Sequence, residues 1–264
     1  MRNLITRSIS GLVYAIIFIS AILFSKESYI GLMAVFSVIC VFEFSKILKS
    51  KNIIPYITLI AFIYLSTFKN SILSSDYLIV FCLTGLLILL YLLIGIKPIK
   101  TDSLSKKIFL QIIYLILPFY FLIKLPFIQE EYTPNIIIYI ILMIWTNDSF
   151  AFIVGKNFGK HKLFESVSPK KTIEGFIGGL VFAVLAGFLI GYYSNAFSIV
   201  NWVIIAVIVS VFGSLGDLVE SKFKRQANIK DSGTIMPGHG GLLDRLDSLF
   251  FLAPFVYLYI HYIM

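Results

Sequence analysis

Charge is scarce in this chain, and so are the residues that bind soft metals. Asp, Glu, Lys and Arg make up 14% of its 264 residues, where a soluble domain carries about 25%. There are 2 cysteines, Cys40 and Cys82, and 3 histidines, His161, His239 and His261. Both cysteines lie within apolar runs, which argues against a disulfide framework or a thiolate metal site. The histidines do not have zinc-ligand spacing. Any metal must be held by oxygen.

Apolar residues make up 59% of the chain, and the mean hydropathy is +0.94. Nine runs, at 8–24, 28–45, 53–68, 77–96, 108–124, 134–155, 174–193, 198–219 and 246–263, approach or reach the roughly 17 to 25 helical residues that cross a bilayer. The run at 53–68 is the shortest. The runs are apolar on every face, unlike the alternating strands of a membrane barrel. The fold class expected is all-α: a polytopic transmembrane protein of about nine spans. Arg2 and Arg7 precede the first run as in a signal peptide, but "AILFSKESY" lacks a clear small-x-small cleavage site, so that run is read as the first span.

Charge orients the spans. With the N-terminus inside, only Lys26, Lys69 and Lys124 fall outside, and every other Lys and Arg faces inward. This positive-inside bias predicts a cytoplasmic N-terminus and an external C-terminus. The net charge of +8 is then a one-sided layer facing anionic lipid heads and cytoplasmic anions, and requires no nucleic acid.

Residues 1–132 are expected to form an N-terminal scaffold of about five spans, and residues 133–264 a catalytic region of about four spans with cytoplasmic polar loops. In the first part Glu43 is the only carboxylate well within a span, read as pairing with Lys46 one turn on. Chemistry-bearing residues concentrate in three segments of the second part. In the first, Asp148 lies inside a span, where an ionisable group is costly unless it faces a wet cavity or a cation. Downstream, Ser168 and Pro169 read as the N-cap and first position of a helix. That would put Lys170 and Lys171 in its first turn, against the helix dipole, an arrangement suited to holding a phosphate. In the second segment, "GSLGDLVESKFKR", helical spacing groups Asp217, Glu220 and Ser221, with Glu220 also placed to pair with Lys224. Asp217 has no sequence-near cation at that spacing.

The third segment, "KDSGTIMPGHGGLLDRLDS", is rich in Gly, so its backbone N–H groups can approach an anion closely. Asp244 and Asp247 then open the last helix with Arg245 between them. Carboxylates gathered without a soft ligand suit Mg²⁺, which takes one or two of them together with waters and substrate phosphates. With Lys and Arg around them, they point to phosphoryl or nucleotidyl transfer at the membrane surface.

The same residues carry a resemblance. Ser221, Phe223, Lys224, Arg225, Lys230, Asp231, Gly233, Pro237, His239, Gly240, Gly241, Asp244, Arg245 and Asp247 stand at the spacings of the phosphatidate cytidylyltransferase, or CDP-diacylglycerol synthase, signature. "NDSFAFIVGKNFGKHKL" and "SPKKTIEG" also resemble segments of that family, so the likeness is strong over about residues 140–248. Met236 stands where Leu, Ile or Phe is usual, and Ile173 where Trp is frequent; both keep an apolar side chain.

The resemblance implies a multi-pass enzyme of the bacterial inner membrane, with its site facing the cytoplasm, that converts CTP and phosphatidate into CDP-diacylglycerol and pyrophosphate. It implies Mg²⁺, a monovalent cation such as K⁺ in part of the family, and a homodimer. The family's metal-site aspartates fall on Asp217 and Asp244. Asp148, Ser221, Lys224, Arg225, His239 and Asp247 are the other catalytic candidates, with Asp148 and Asp247 orienting metal or substrate and His239 a hydrogen-bonding loop residue. Lys170, Lys171, Lys224, Arg225, Lys230 and Arg245 are candidates for the triphosphate and phosphatidate contacts. A CTP-dependent lipid-alcohol kinase is the nearest rival and a transporter a remote one. The D-x-x-D-G-x-x-A-R motif of the CDP-alcohol phosphotransferases is absent.

Overall fold

A computed structural model describes residues 2–67, 75–95, 98–238 and 240–264. His239, Lys69 and Lys97 lie outside the described residues, as do the side chains of Arg2 and Arg7. The apolar runs become helices: α1 (Arg2–Phe24), α2 (Lys26–Ile47), α3 (Ile54–Thr67), α4 (Ser75–Ile94), α5 (Leu104–Gln111), α6 (Leu117–Lys124), α7 (Pro134–Phe158), α8 (Ile173–Tyr193), α9 (Ile199–Gln226) and α10 (Leu243–Leu258). A π-helical turn, Ile112–Ile116, joins α5 to α6, and a second, Tyr259–Ile263, extends α10. The first of these turns lies just before Pro118, which has no N–H and whose ring crowds the preceding turn. The protein is thus an all-α polytopic membrane protein. Among the described residues, seven helical segments are long and apolar enough to cross a bilayer, and shorter apolar helices at Ile9–Phe24 and Ile54–Thr67 occupy the first and third runs.

Local chemistry sets many helix ends. Ser25 and Ser28 form a reciprocal capping box at α2, and the Ser198 hydroxyl oxygen accepts the Asn201 N–H at α9. Two small antiparallel hairpins interrupt the helices: β1 (Phe127–Ile128) with β2 (Glu131–Tyr132), and β3 (Lys162–Phe164) with β4 (Ser168–Thr172). The second hairpin corrects the expected helix start at Ser168. Lys162 pairs with Thr172 and Phe164 with Ser168, so residues 168–172 are extended. Thr172 is the N-cap of α8, its hydroxyl oxygen accepting the Gly175 N–H at 3.1 Å. Lys170 and Lys171 therefore sit on a strand and oppose no helix dipole.

Tight packing of α7, α8 and α9 brings the polar segments together. A Cβ on Gly175 would meet the Ala151 carbonyl at 2.7 Å, one on Gly179 the Asn147 carbonyl at 2.8 Å, and one on Gly187 the Trp202 carbonyl at 2.7 Å. Small residues thus let three backbones approach, as membrane helices do where apolar burial supplies no driving force. The opposite face of α8 exposes Ile177, Val181, Leu185 and Phe188, as contact with lipid requires. On the other side of the site, an aromatic cluster ties α2, α6, α9 and α10 to the π turn. Tyr114 lies 5.0 Å from Phe44 and 5.3 Å from Phe250, and Phe223 lies 5.1 Å from Phe44, between ring centres.

Candidate active site

The lower end of α9 supplies one wall. Asp217, Glu220, Ser221 and Lys224 recur at spacings of three, four and seven residues, which places them along one helical face. The Ser221 hydroxyl donates to Asp217 Oδ1 at 3.1 Å. Asp217 has its cation after all: Lys171 reaches across from β4 and places Nζ 2.7 Å from Asp217 Oδ2, with the Ser214 carbonyl 3.5 Å away. The hairpin register makes this pair, which bridges two segments far apart in sequence.

The first turn of α10 supplies the second wall. Lys224 Nζ lies 2.6 Å from Asp244 Oδ1 and 3.1 Å from Glu220 Oε2, so the expected Glu220 pairing forms and is shared. Asp244 also accepts the Ser232 N–H at 2.9 Å and the Gly241 N–H at 2.8 Å, and the Ser232 hydroxyl, 3.0 Å away, has one proton to share between Asp244 and Glu43. The Gly-rich loop thus wraps the carboxylate, and Gly240, at φ 90°, makes a turn that side-chain-bearing residues rarely adopt. Asp247 is buried, with the Ser248 N–H 2.7 Å from its Oδ1. Both aspartates of this helix start are well shielded, with Asp244's side chain 6% exposed, unlike an ordinary solvated first turn.

α7 brings Asp148. Its Oδ1 accepts from the Asn147 amide at 3.1 Å, and Asn147 Oδ1 in turn accepts the Ser210 hydroxyl at 2.6 Å. This chain fixes Asp148 relative to α9. Two cavities meet there, both lined by Asp148 and Asp217. One, of about 460 Å³, is also lined by Lys224, Asp231, Asp244, Arg245 and Asp247, with Tyr14 and Trp145 on its apolar side. The other, of about 500 Å³, lies between α7, α8 and the second hairpin, and mixes Phe152, Leu163 and Phe176 with Lys156, Lys170 and Lys171.

Not every candidate faces a cavity. Arg225 is a brace: its guanidinium donates to the Val167 and Ile229 carbonyls at 3.4 and 3.0 Å, holding the hairpin turn and the following loop against α9. Lys230 is exposed and lines neither cavity. Ser221 lines neither cavity and touches Asp217. His239 lies outside the described residues.

Three carboxylates escaped the candidate set. Asp231 lines the first cavity and was visible only as part of the motif. Glu220 is fully buried, and Asp247 stands beside it as a second buried carboxylate. Glu43 does not pair with Lys46, whose ammonium instead lies 4.2 Å from the Phe42 ring centre; it turns inward to the Gly-rich loop. Its place as a carboxylate inside an apolar run, near the end of α2, was the sequence signal.

Among the described residues, the charged lining of the first cavity offers oxygen donors and ammonium or guanidinium groups, with no thiolate or imidazole. Among the described residues no three His, Cys, Asp or Glu groups are assembled as a ready-made metal cage. A hard cation that takes one or two carboxylates and completes its shell with water and substrate phosphates fits this donor set.

Comparison with known proteins agrees with this chemistry. Residues 5–263 match the Cytidylyltransferase family. The phosphatidate cytidylyltransferase of Bacillus subtilis (strain 168) is 34% identical over 263 residues, covering 97% of each chain. Those of Staphylococcus haemolyticus (strain JCSC1435) and Staphylococcus aureus (strain COL) are 48% and 50% identical over 120 residues, 45% of this chain and 46% of each relative. Matched over nearly its whole length by both the family and a relative, this chain belongs to the Cytidylyltransferase family.

Proposed function

We propose that this enzyme transfers the cytidylyl group of CTP to phosphatidate, giving CDP-diacylglycerol and pyrophosphate. The observation that carries this reading is the meeting of two unlike cavities at Asp148 and Asp217. The polar one sets five aspartates, Asp148, Asp217, Asp231, Asp244 and Asp247, against Lys224 and Arg245, and suits a triphosphate that arrives with a divalent cation. The other combines aromatic and aliphatic walls with Lys156, Lys170 and Lys171, and suits a phosphate carried on acyl chains. The two substrates then meet at the shared wall.

A phosphate oxygen of phosphatidate attacks the α-phosphorus of CTP; a new P–O bond forms as the bond to the β-phosphate's bridging oxygen breaks, and pyrophosphate leaves with that electron pair. The attacking phosphate is already an anion near neutral pH, so neither a covalent intermediate nor a strong general base is required. The side chains here orient and neutralise. Lys171 is placed at the junction to take a phosphate oxygen and Arg245 to offset the triphosphate's charge, while Lys224 neutralises Glu220 and Asp244. Mg²⁺, held by Asp217 and Asp244, would supply charge neutralisation of the departing pyrophosphate. A monovalent cation beside it, a homodimer and an inner-membrane location with the site facing the cytoplasm belong to the same proposal.

The test is incubation of purified protein with phosphatidate, labelled CTP and Mg²⁺. CDP-diacylglycerol and pyrophosphate are the expected products. CDP with a phosphorylated lipid alcohol, when such an alcohol is supplied, would identify a kinase instead.

A further inference from the structure

Glu43 belongs to α2, far in sequence from the acidic segments, yet it is 1% exposed and faces three donors. Oε2 accepts the Ser232 hydroxyl at 3.0 Å and the Leu243 N–H at 2.8 Å, and Oε1 accepts the Leu242 N–H at 3.2 Å. The two backbone donors lie at the start of α10, where the first N–H groups of a helix lack intrahelical partners. Leu242, at the N-cap position, has no side chain able to satisfy them. Glu43 provides that cap from another helix, and its charge suits the positive end of the dipole.

The loop is shaped around this carboxylate. A Cβ on Gly233 or Gly241 would run into the Glu43 side chain. Ser232 connects it to the centre: its hydroxyl lies 3.0 Å from both Glu43 Oε2 and Asp244 Oδ2, and its N–H lies 2.9 Å from Asp244 Oδ2. Lys224 holds the other Asp244 oxygen.

We propose that Glu43 is a positioning residue for the transfer reaction: it clamps the Gly-rich loop and the first turn of α10 and, through Ser232, fixes the orientation of Asp244. The inference rests on reading Asp244 as part of the reacting centre. A glutamine at position 43 would keep the shape but turn an NH₂ group towards donors, so the clamp fails without a cavity being made.

The experiment compares Glu43→Gln, Ser232→Ala and the double variant in neutral detergent, by steady-state kinetics and by hydrogen–deuterium exchange. Each single variant is expected to lower kcat about 10-fold to 100-fold with KM for CTP within about threefold. The double variant should fall within about threefold of the worse single, since both changes break one path. Exchange at Leu242 and Leu243 should rise in Glu43→Gln, with peptides of α7 and α8 unchanged. Wild-type kcat in Glu43→Gln, or multiplied losses in the double variant, would overturn the proposal. If Glu43→Gln fails to insert, Ser232→Ala decides alone, and an unchanged kcat there overturns it. Exchange is read without substrate, so a wild-type protein inactive with CTP and phosphatidate would sink the functional reading and leave the clamp standing.

Discussion

Lys171 Nζ lies 2.7 Å from Asp217 Oδ2, joining the second hairpin to α9 at the wall that both cavities share. Both side chains remain partly exposed, at 29% and 36%, so the pair is open to exchange with a substrate phosphate. Replacing Lys171 with Gln should lower kcat/KM by about 10-fold to 100-fold, equivalent to about 1.4 to 2.7 kcal/mol. Lys170 is exposed and forms no such pair among the described residues, so Lys170→Gln should act mainly through KM and by less. Assays in neutral-detergent micelles remove the general attraction to anionic lipid; unchanged kinetics in both variants would dismiss phosphate binding by this strand.

Asp217→Asn and Asp244→Asn should each reduce turnover by at least about 100-fold while the protein still inserts into the membrane. An amide keeps the size of the side chain but cannot supply a carboxylate's charge to Mg²⁺ or to Lys171 and Lys224. Chelation by EDTA should mimic either change, with recovery on adding Mg²⁺. A variant that turns over like the wild type would exclude its residue from the metal site.

Thiol labelling tests the orientation. Cys40 and Cys82 are buried, so a Cys placed at the exposed Lys230 should dominate labelling. An impermeant reagent is expected to modify it only after cells are opened. Modification in intact cells would reverse the proposed topology.

The close approach of α7 and α8 can be probed at Gly179, where a Cβ would meet the Asn147 carbonyl at 2.8 Å and the Ala151 methyl at 3.0 Å. Gly179→Val should cost about 1–3 kcal/mol, the usual penalty for overpacking, and appear as a lower midpoint of thermal unfolding in detergent. Because Asn147 orients Asp148, activity measured well below that midpoint should fall as well. An unchanged midpoint would mean that the helices can part without cost.

The sequence alone determined the helices and named most of the groups that line the candidate site. Apolar runs near bilayer length have few ways to satisfy their backbone except as helices; a carboxylate inside such a run marks Asp148, helical-face spacing marks Asp217, and the Gly-rich motif marks Asp244. Spacing also paired Glu220 with Lys224, because i,i+4 contacts are local. Tertiary structure decided what depended on distant chain. Ser168 and Thr172 both have the chemistry of a helix cap, and the choice fell to Thr172 because residues 162–164 pair with 168–172 as a hairpin. The same pairing gave Lys171 to Asp217. Glu43 had a plausible partner one turn away in Lys46, but the unsatisfied N–H groups at the start of α10 offered a buried carboxylate more than an exposed lysine could. Local sequence carries the periodicity of a helix and the reach of a side chain within it; it does not carry which loop will fold against that side chain, and that contact decides the partner of a buried charge.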